Sequence, residues 1–377
     1  MALLVSTVEC SGIDRYSQEL AKRLGVATLE TRRYRSLKDT LNLLHALAKV
    51  SPPIHFPCQH FARYGLFLRK PFIITVHDLA RICFPFARES MRDRVGLKLD
   101  ALGLKRAQHI IAVSACTQAD LVRLLGIPAR KITVIYNGVD RNVFKPVAGR
   151  RFDFPYLLYV GTERPRKNLG VLLQAFAILK RGDGAPSGLK LVKVGAAGRA
   201  DKFREATVSE VRRLGLENEV ILAGYVSNEE LARYYSSALA LVMPSLYEGF
   251  GLPLVEAMAC GCLVIASNTS SLPEVAGDAG LFFAPQDSRE LAHLIGRVAT
   301  EPALRDELIR KGFETVEHFS WERTARATLQ LYQKVEAELA FRRRPSVEGP
   351  VPSGAVQPAV SLCALPKVRQ DNPHVKQ

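Results

Sequence analysis

Short apolar runs bounded by turn residues alternate with amphipathic helical stretches along this chain, and they do so in two successive sets. A strand followed by a helix and then by a neighbouring strand runs parallel to it, so the alternation calls for parallel sheets covered by helices on both faces. The first set places strands near Leu3–Ser6, Val26–Leu29, Ile54–Phe56, Phe72–Val76, Ile110–Val113 and Ile132–Ile135. Helices are expected between them from about Asp14, Ser36, Arg88 and Ser114, the last with a serine suited to cap it. The run Asn137-Gly138-Val139-Asp140, followed by the Pro, Gly and Arg content of Arg141 to Pro155, breaks the rhythm and reads as a linker. A second set then places strands near Tyr156–Val160, Leu189–Val194, Val220–Leu222, Leu239–Val242, Leu263–Ala266 and Gly280–Phe282, closed by a long helix from about Ser320 to Ala340.

The expected fold is therefore α/β, with two doubly wound parallel-sheet domains at 1–150 and 151–340, the final helix grouped with the second. A length of 377 residues suits two such units, each large enough for its own core. Beyond Phe341 the composition turns to Arg342-Arg343-Arg344, prolines, serines and glycines without periodicity. Residues 341–377 are expected to be a disordered tail, because they bring little apolar surface to offset the entropy of ordering. Its arginines are of a kind that can touch anionic lipid.

Hydrophobic residues at 47% and charged residues at 24% belong to an ordinary soluble globular chain. The formal charge of +15 points to anionic partners without choosing among phosphates, nucleic acid and membrane surfaces. Charge is the only feature favouring nucleic acid, since no recognised motif or platform of aromatic and basic residues accompanies it, and none is expected as a partner. The seven cysteines are scattered and odd in number and read as reduced thiols. Cys260-Gly261-Cys262 falls where small buried residues are expected, at a turn from helix to strand. No stretch reaches the roughly 20 apolar residues of a membrane span, and Met1 to Cys10 lacks the basic region of a signal peptide. The expected location is cytoplasmic, with peripheral attachment to the inner face of the membrane left open. No Asp-x-Asp pair, Walker loop, zinc spacing or Gly-x-Ser-x-Gly elbow occurs, so neither a metal nor another cofactor is expected.

The segment richest in chemistry runs from Pro244 to Ala259 and contains Tyr247-Glu248-Gly249-Phe250-Gly251-Leu252-Pro253, then Glu256. It follows an apolar strand and enters a helix. Glycines at 249 and 251 let the backbone turn and approach a ligand, and Pro253 suits a first helical turn, where its missing N–H is no loss. The amides and positive end of that helix can seat a phosphate. Two glutamates would repel that phosphate, so Glu248 and Glu256 are read as acceptors for sugar and ribose hydroxyls, the alternative being glycines that serve turn geometry alone and solvated glutamates. In Tyr159-Val160-Gly161-Thr162-Glu163-Arg164-Pro165-Arg166-Lys167 a strand runs into a basic turn. Fixed cations of this kind stabilise a leaving diphosphate, unless the loop is simply solvated.

The Glu248-x7-Glu256 spacing and its continuation Ala257-Met258-Ala259-Cys260-Gly261 resemble the signature of the family 4 retaining glycosyltransferases, as does Leu272-Pro273-Glu274-Val275. That resemblance implies the GT-B fold, two Rossmann-like domains facing a central cleft, with the acceptor against the first and a nucleotide-sugar donor on the second. It implies that Glu248 contacts the donor sugar and Glu256 the ribose, that the amides around Phe250, Gly251 and Leu252 meet sugar and diphosphate, and that Arg166 and Lys167 bind the diphosphate. Many members have arginine after the glycine where this chain has Thr162; the Gly161-Thr162 form resembles mannosyltransferases. The base is expected near Tyr225 and Val226.

In the first half, Thr75-Val76-His77-Asp78 ends an apolar strand, where open α/β sheets place ligands. A lone histidine there is as often structural as functional. The resemblance implies that His77 faces the transferred sugar or the acceptor. Ser11-Gly12-Ile13-Asp14-Arg15-Tyr16 resembles the family's first glycine loop, with Gly12 as its remaining glycine and Asp14 where a glycine is usual. Asp14 is either an ordinary first-turn helix acid or a carboxylate that weakens donor binding. Arg32-Arg33-Tyr34-Arg35 ahead of Leu37, Leu41, Leu44 and Ala48, with Arg63, Arg69 and Lys70 beside aromatics, forms either a basic surface for anionic lipid and a lipid-linked acceptor or a helix packed on its own sheet.

The expected function is metal-independent, retaining transfer of a hexose, mannose favoured, from GDP-mannose or a UDP-sugar to a glycan or lipid-linked acceptor in polysaccharide biosynthesis. Two other readings stay open, a nucleotide-sugar epimerase of the same fold and a catalytically silent nucleotide-sugar-binding protein.

Overall fold

The computed structural model describes residues 2–6, 12–31, 37–84, 91–182, 186–198 and 201–342. Ser11, Arg32 to Arg35 and the tail from 343 onward lie outside them. Two parallel six-stranded sheets organise these residues. The first contains β1 (Ala2–Ser6), β2 (Ala27–Thr31), β3 (Ile54–Phe56), β4 (Phe72–Val76), β5 (His109–Ala112) and β6 (Ile132–Val134), in the order β2-β1-β3-β4-β5-β6. The second contains β7 (Tyr156–Val160), β8 (Lys190–Val194), β9 (Val220–Gly224), β10 (Ala240–Met243), β11 (Val264–Ser267) and β12 (Gly280–Phe283), in the order β12-β11-β10-β7-β8-β9. In the second sheet the order reverses between β7 and β10, which places the crevice of an open α/β sheet outside the carboxyl ends of those two strands.

Successive side chains of a strand point to opposite faces, and the cores follow that rule. On β4, Phe72, Ile74 and Val76 join one cluster with Leu43, Leu47 and Leu104, while Ile73 faces the other way into a cluster with Tyr16, Leu20 and Trp321. On β7, Tyr156 and Leu158 face one core and Leu157 and Tyr159 the other. Burial of both faces is why these strands read as apolar runs instead of alternating ones. The helix Ala115–Leu125 begins as expected, with the Ser114 side chain accepting from the Thr117 amide.

One reading changes, and one left open is decided. The last helix, Trp321–Arg342, does not cover the second sheet. Its Trp321, Ala325, Leu331, Tyr332 and Val335 pack with Leu3, Tyr16, Leu20, Ile73 and Ile111, closing one face of the first sheet. The chain therefore crosses between the two sheets twice, and the crossings touch: Val139 N donates to Phe319 O at 3.1 Å, and a Cβ on Gly138 would lie 2.1 Å from Trp321 N. Arg63 and Lys70, read either as part of a basic surface or as part of ordinary packing, are largely committed to the fold. Arg63 forms two hydrogen bonds to buried Asp100, and Lys70 Nζ donates to the carbonyls of Ala48 and Val50, closing the helix Leu37–Lys49. Leu43 and Leu47 of that helix are core residues, although Leu41 is exposed.

A buried polar chain ties the last helix to the sheet. His55 Nδ1 lies 2.6 Å from the Tyr332 hydroxyl, His55 Nε2 lies 2.8 Å from Thr75 Oγ1, and the Tyr16 hydroxyl lies 2.9 Å from the same oxygen. Burial pushes the His55 imidazole down to about 3. The unfolded chain binds a proton at His55 near pH 6.5 and the folded one does not, so stability falls as pH drops below 6.5 and stops falling near 3. At pH 4.5 the expected loss from His55 is about 2–3 kcal/mol. Thermal unfolding between pH 7 and 4.5 checks this: a His55→Gln variant should show a shallower fall, and an equal slope would remove the assignment.

Candidate active site

The loops that leave β7 and β10 face each other across the crevice and are stapled together. Leu246 N donates to Arg166 O at 2.8 Å, and Asn168 Nδ2 donates to the Pro244 and Pro285 carbonyls. The turn after β7 thus presents Arg166 and Lys167 directly to the Tyr247-Glu248 corner after β10. Lys167 Nζ lies 2.5 Å from Glu248 Oε1, and Arg166 Nη1 lies 3.4 Å from Oε2 and 2.8 Å from the Tyr247 carbonyl. Burial alone would raise the Glu248 carboxyl, but the two cations more than offset it and hold it below the usual carboxylate range. An ionised carboxylate flanked by two partly buried cations can accept hydroxyl protons while the cations remain close enough to receive phosphate oxygens.

Past Glu248 the chain turns into the helix Leu252–Ala259, with Gly251 at φ 99°, a conformation suited to glycine, and Pro253 in the first turn. Gly249 meets a different constraint. A Cβ built there would lie 1.5 Å from the His77 carbonyl oxygen, so only glycine permits the two halves to approach this closely. His77 enters the cleft from β4 at that point. Its Nε2 lies 2.8 Å from the Pro57 carbonyl, which can only accept, so Nε2 carries the proton and Nδ1 is left as an acceptor. Burial lowers the His77 pKa and keeps the ring neutral, and the Tyr16 ring stands edge-on to it at 4.9 Å. The adjoining Asp78 accepts from the Ala80 amide through its Oδ1.

Glu256 is buried on the helix behind the glycine turn. Its Oε2 accepts from the Tyr235 hydroxyl at 3.0 Å, and its Oε1 pairs with Arg15 Nη1 at 2.5 Å. Arg15 comes from the helix Gly12–Leu24 and also reaches Asn228 Oδ1 at 2.6 Å, so it bridges the two halves. Asp14 is buried in the first turn of the same helix, close enough to His77 for its charge to act on the ring. Glu163 and Lys193 form a buried pair at 2.8 Å beneath the basic turn, and the Thr162 carbonyl receives the Tyr159 hydroxyl. Tyr225 is exposed just beyond β9, two strands along from β7.

The structure thus brings Glu248, Gly249, Phe250, Gly251, Leu252, Arg166, Lys167 and His77 to one rim of the cleft, with Glu256 held behind the glycine turn. Four residues that join the halves, Arg15, Tyr247, Glu274 and Thr117, are not signalled by the sequence. Arg15 stood in the quoted first glycine loop but was given no role. Tyr247 donates to Asp120 Oδ2 at 2.8 Å and accepts from the Leu79 amide at 3.2 Å, and Glu274 accepts from the amides of Ala115 and Cys116. Thr117 Oγ1 also donates to the Gly249 carbonyl. All link the second half to the first, and none lies in a pattern whose periodicity signals a partner so distant in sequence. Among the described residues no group of three or more His, Cys, Asp or Glu is placed to hold a metal ion, and no helix is long and apolar enough to cross a membrane.

Comparison with known proteins gives two adjoining family matches, Glycosyltransferase Family 4 over residues 11–143 and Glycosyl transferases group 1 over residues 140–315. The chain is 32% identical over 271 residues to the O-antigen chain mannosyltransferase B of Escherichia coli, a match covering 69% of this chain and 70% of that protein. Among solved structures, a sucrose-phosphate synthase of Thermosynechococcus elongatus superposes with a TM-score of 0.75 at 26% identity, covering 90% of this chain and 100% of that one. The Anabaena protein HepE, in complex with UDP and glucose, superposes at 0.74 and 19% identity, covering 89% of this chain and 99% of that one.

Proposed function

This chain belongs to the glycosyl transferases group 1 family, has the GT-B fold and is a hexosyltransferase, and on that premise we propose that it transfers mannose from GDP-mannose to a glycan or lipid-linked acceptor with retention of anomeric configuration. The observation that carries the reading is the cluster of Arg166, Lys167 and Glu248 at the strand-order reversal, where two cations and a carboxylate meet. In this reading Arg166 and Lys167 take the diphosphate and stabilise the charge that grows on it as the glycosidic bond breaks. Glu248 accepts from hydroxyls of the sugar, and Glu256, steadied by Tyr235 and Arg15, accepts from the ribose. Each of its oxygens has a second acceptor position for that purpose. In this reading Tyr225 and Val226 take the base. The His77 Nδ1 lone pair accepts from a hydroxyl of the transferred sugar or the acceptor.

In this reading the acceptor hydroxyl attacks from the face the diphosphate leaves, and a phosphate oxygen takes its proton. The bond from anomeric carbon to phosphate oxygen breaks as the bond to the acceptor oxygen forms. The mannose preference rests on Thr162 after Gly161 and on likeness to the E. coli mannosyltransferase; a UDP-sugar is the alternative donor, HepE being a relative in fold found with UDP. Thermal unfolding with GDP, UDP, GDP-mannose and UDP-glucose, without added metal, tests the reading. One nucleotide series should raise the midpoint by several degrees, and Glu256→Ala should lose most of that rise. If no nucleotide shifts it, the donor site is wrong; if UDP-glucose alone does, mannose is wrong.

A further inference from the structure

The helix Met91–Arg106 turns an unusual face to solvent. Its buried arc is fixed by packing: Gly96, Asp100, Gly103 and Leu104 point inward, and a Cβ on Gly103 would lie 2.0 Å from the Ala62 carbonyl oxygen. With 3.6 residues per turn, the opposite arc of about 120° holds Met91, Arg94, Val95, Lys98, Leu102 and Lys105. Met91 is 73% exposed, Val95 48% and Leu102 54%, and all three cations are exposed. The side away from the core of a surface helix is normally polar, so three large apolar side chains in line there are unexplained by folding. The stripe continues beyond the helix: Arg106 donates to the carbonyls of Gly65 and Leu68, which brings Phe67, 69% exposed, and exposed Arg69 to its carboxyl end. The acids of the helix are elsewhere, Asp100 buried against Arg63 and Asp93 off the stripe beside Arg81.

We propose that this stripe is a docking surface for an anionic lipid bilayer. Apolar side chains flanked by cations match the boundary between acyl chains and negative headgroups, and a formal charge of +15 draws the whole molecule toward it. Topology gives the contact a use. The helix connects parallel β4 and β5 and so runs antiparallel to them, which puts its Met91 end at the edge where His77 and the cleft lie. Sixteen residues span about 24 Å, so a bilayer resting along the stripe borders the cleft rim. The surface is distinct from the helix Leu37–Lys49, whose apolar residues Leu43 and Leu47 are committed to the core.

Co-sedimentation of the full chain with vesicles tests this without reference to donor or turnover, so its failure leaves the donor reading untouched. Vesicles of phosphatidylcholine with about one third phosphatidylglycerol should bind at ~0.05 M salt, and phosphatidylcholine alone at least about tenfold more weakly. A Lys98→Glu, Lys105→Glu double variant should lose about thirtyfold or more in partitioning. A Val95→Ser, Leu102→Ser variant should lose the binding that survives ~0.5 M salt. Both change exposed positions, so circular dichroism and the melting midpoint should stay those of the parent. Equal binding of either variant, or no preference for the anionic vesicles, overturns the proposal. So does a dimer in solution that the serine variant splits while vesicle binding is unchanged, which would assign the face to a second copy of the chain.

Discussion

Alanine at position 249 is expected to lower turnover at least about 100-fold while leaving nucleoside diphosphate affinity within about threefold. The added Cβ would sit 1.5 Å from the His77 carbonyl oxygen, and an ordinary contact needs nearly 2 Å more, so the halves must part by that amount. A misplacement of about 1 Å between reacting groups can cost 10²-fold, whereas the diphosphate contacts proposed for Arg166 and Lys167 belong to the second half and travel with it. Steady-state kinetics beside calorimetric titration with GDP or UDP separate the two. A parallel loss of kcat and affinity would show that Gly249 serves the loop's own shape, and an unchanged kcat would mean that transfer does not need this closure.

Lys167→Ala is the other large effect, an expected loss of about 10³ in kcat/KM, or roughly 4 kcal/mol of transition-state stabilisation. The variant removes a cation proposed to hold the diphosphate and leaves buried Glu248 with Arg166, at 3.4 Å, as its remaining cation. In the parent, Glu248 is held below its usual range, so its ionised form persists well into acid and is lost only as pH falls through that lowered value. Without Lys167 that limit moves up, and the acid limb of the kcat/KM profile should move with it; Lys167→Arg should restore much of both. A loss under tenfold with an unmoved acid limb would take Lys167 out of the mechanism.

The strands were legible because burial on both faces leaves a compact apolar run in the sequence, as in Phe72–Val76 and Tyr156–Val160, and the structure begins and ends them within a residue or two of expectation. The Glu248 corner was legible because glycine, proline and paired carboxylates are local features. Partnerships across the cleft were not. Nothing near Glu256 announces Arg15, 241 residues away, and nothing near Glu274 announces the amides of Ala115 and Cys116. The final helix shows the same limit: its apolar residues declare that it packs, not on which sheet.

That helix also sets an order of events during synthesis. The second sheet, between 156 and 283, has all its strands in one continuous stretch and can assemble once that stretch leaves the ribosome. The first sheet, although made earliest, has the face of Leu3, Ile73 and Ile111 only partly covered, by Tyr16, Leu20 and Leu24, until Trp321 and Tyr332 arrive. The half of the molecule that is translated first is thus completed last, and a nascent chain stalled near residue 310 should expose that apolar face to chaperones.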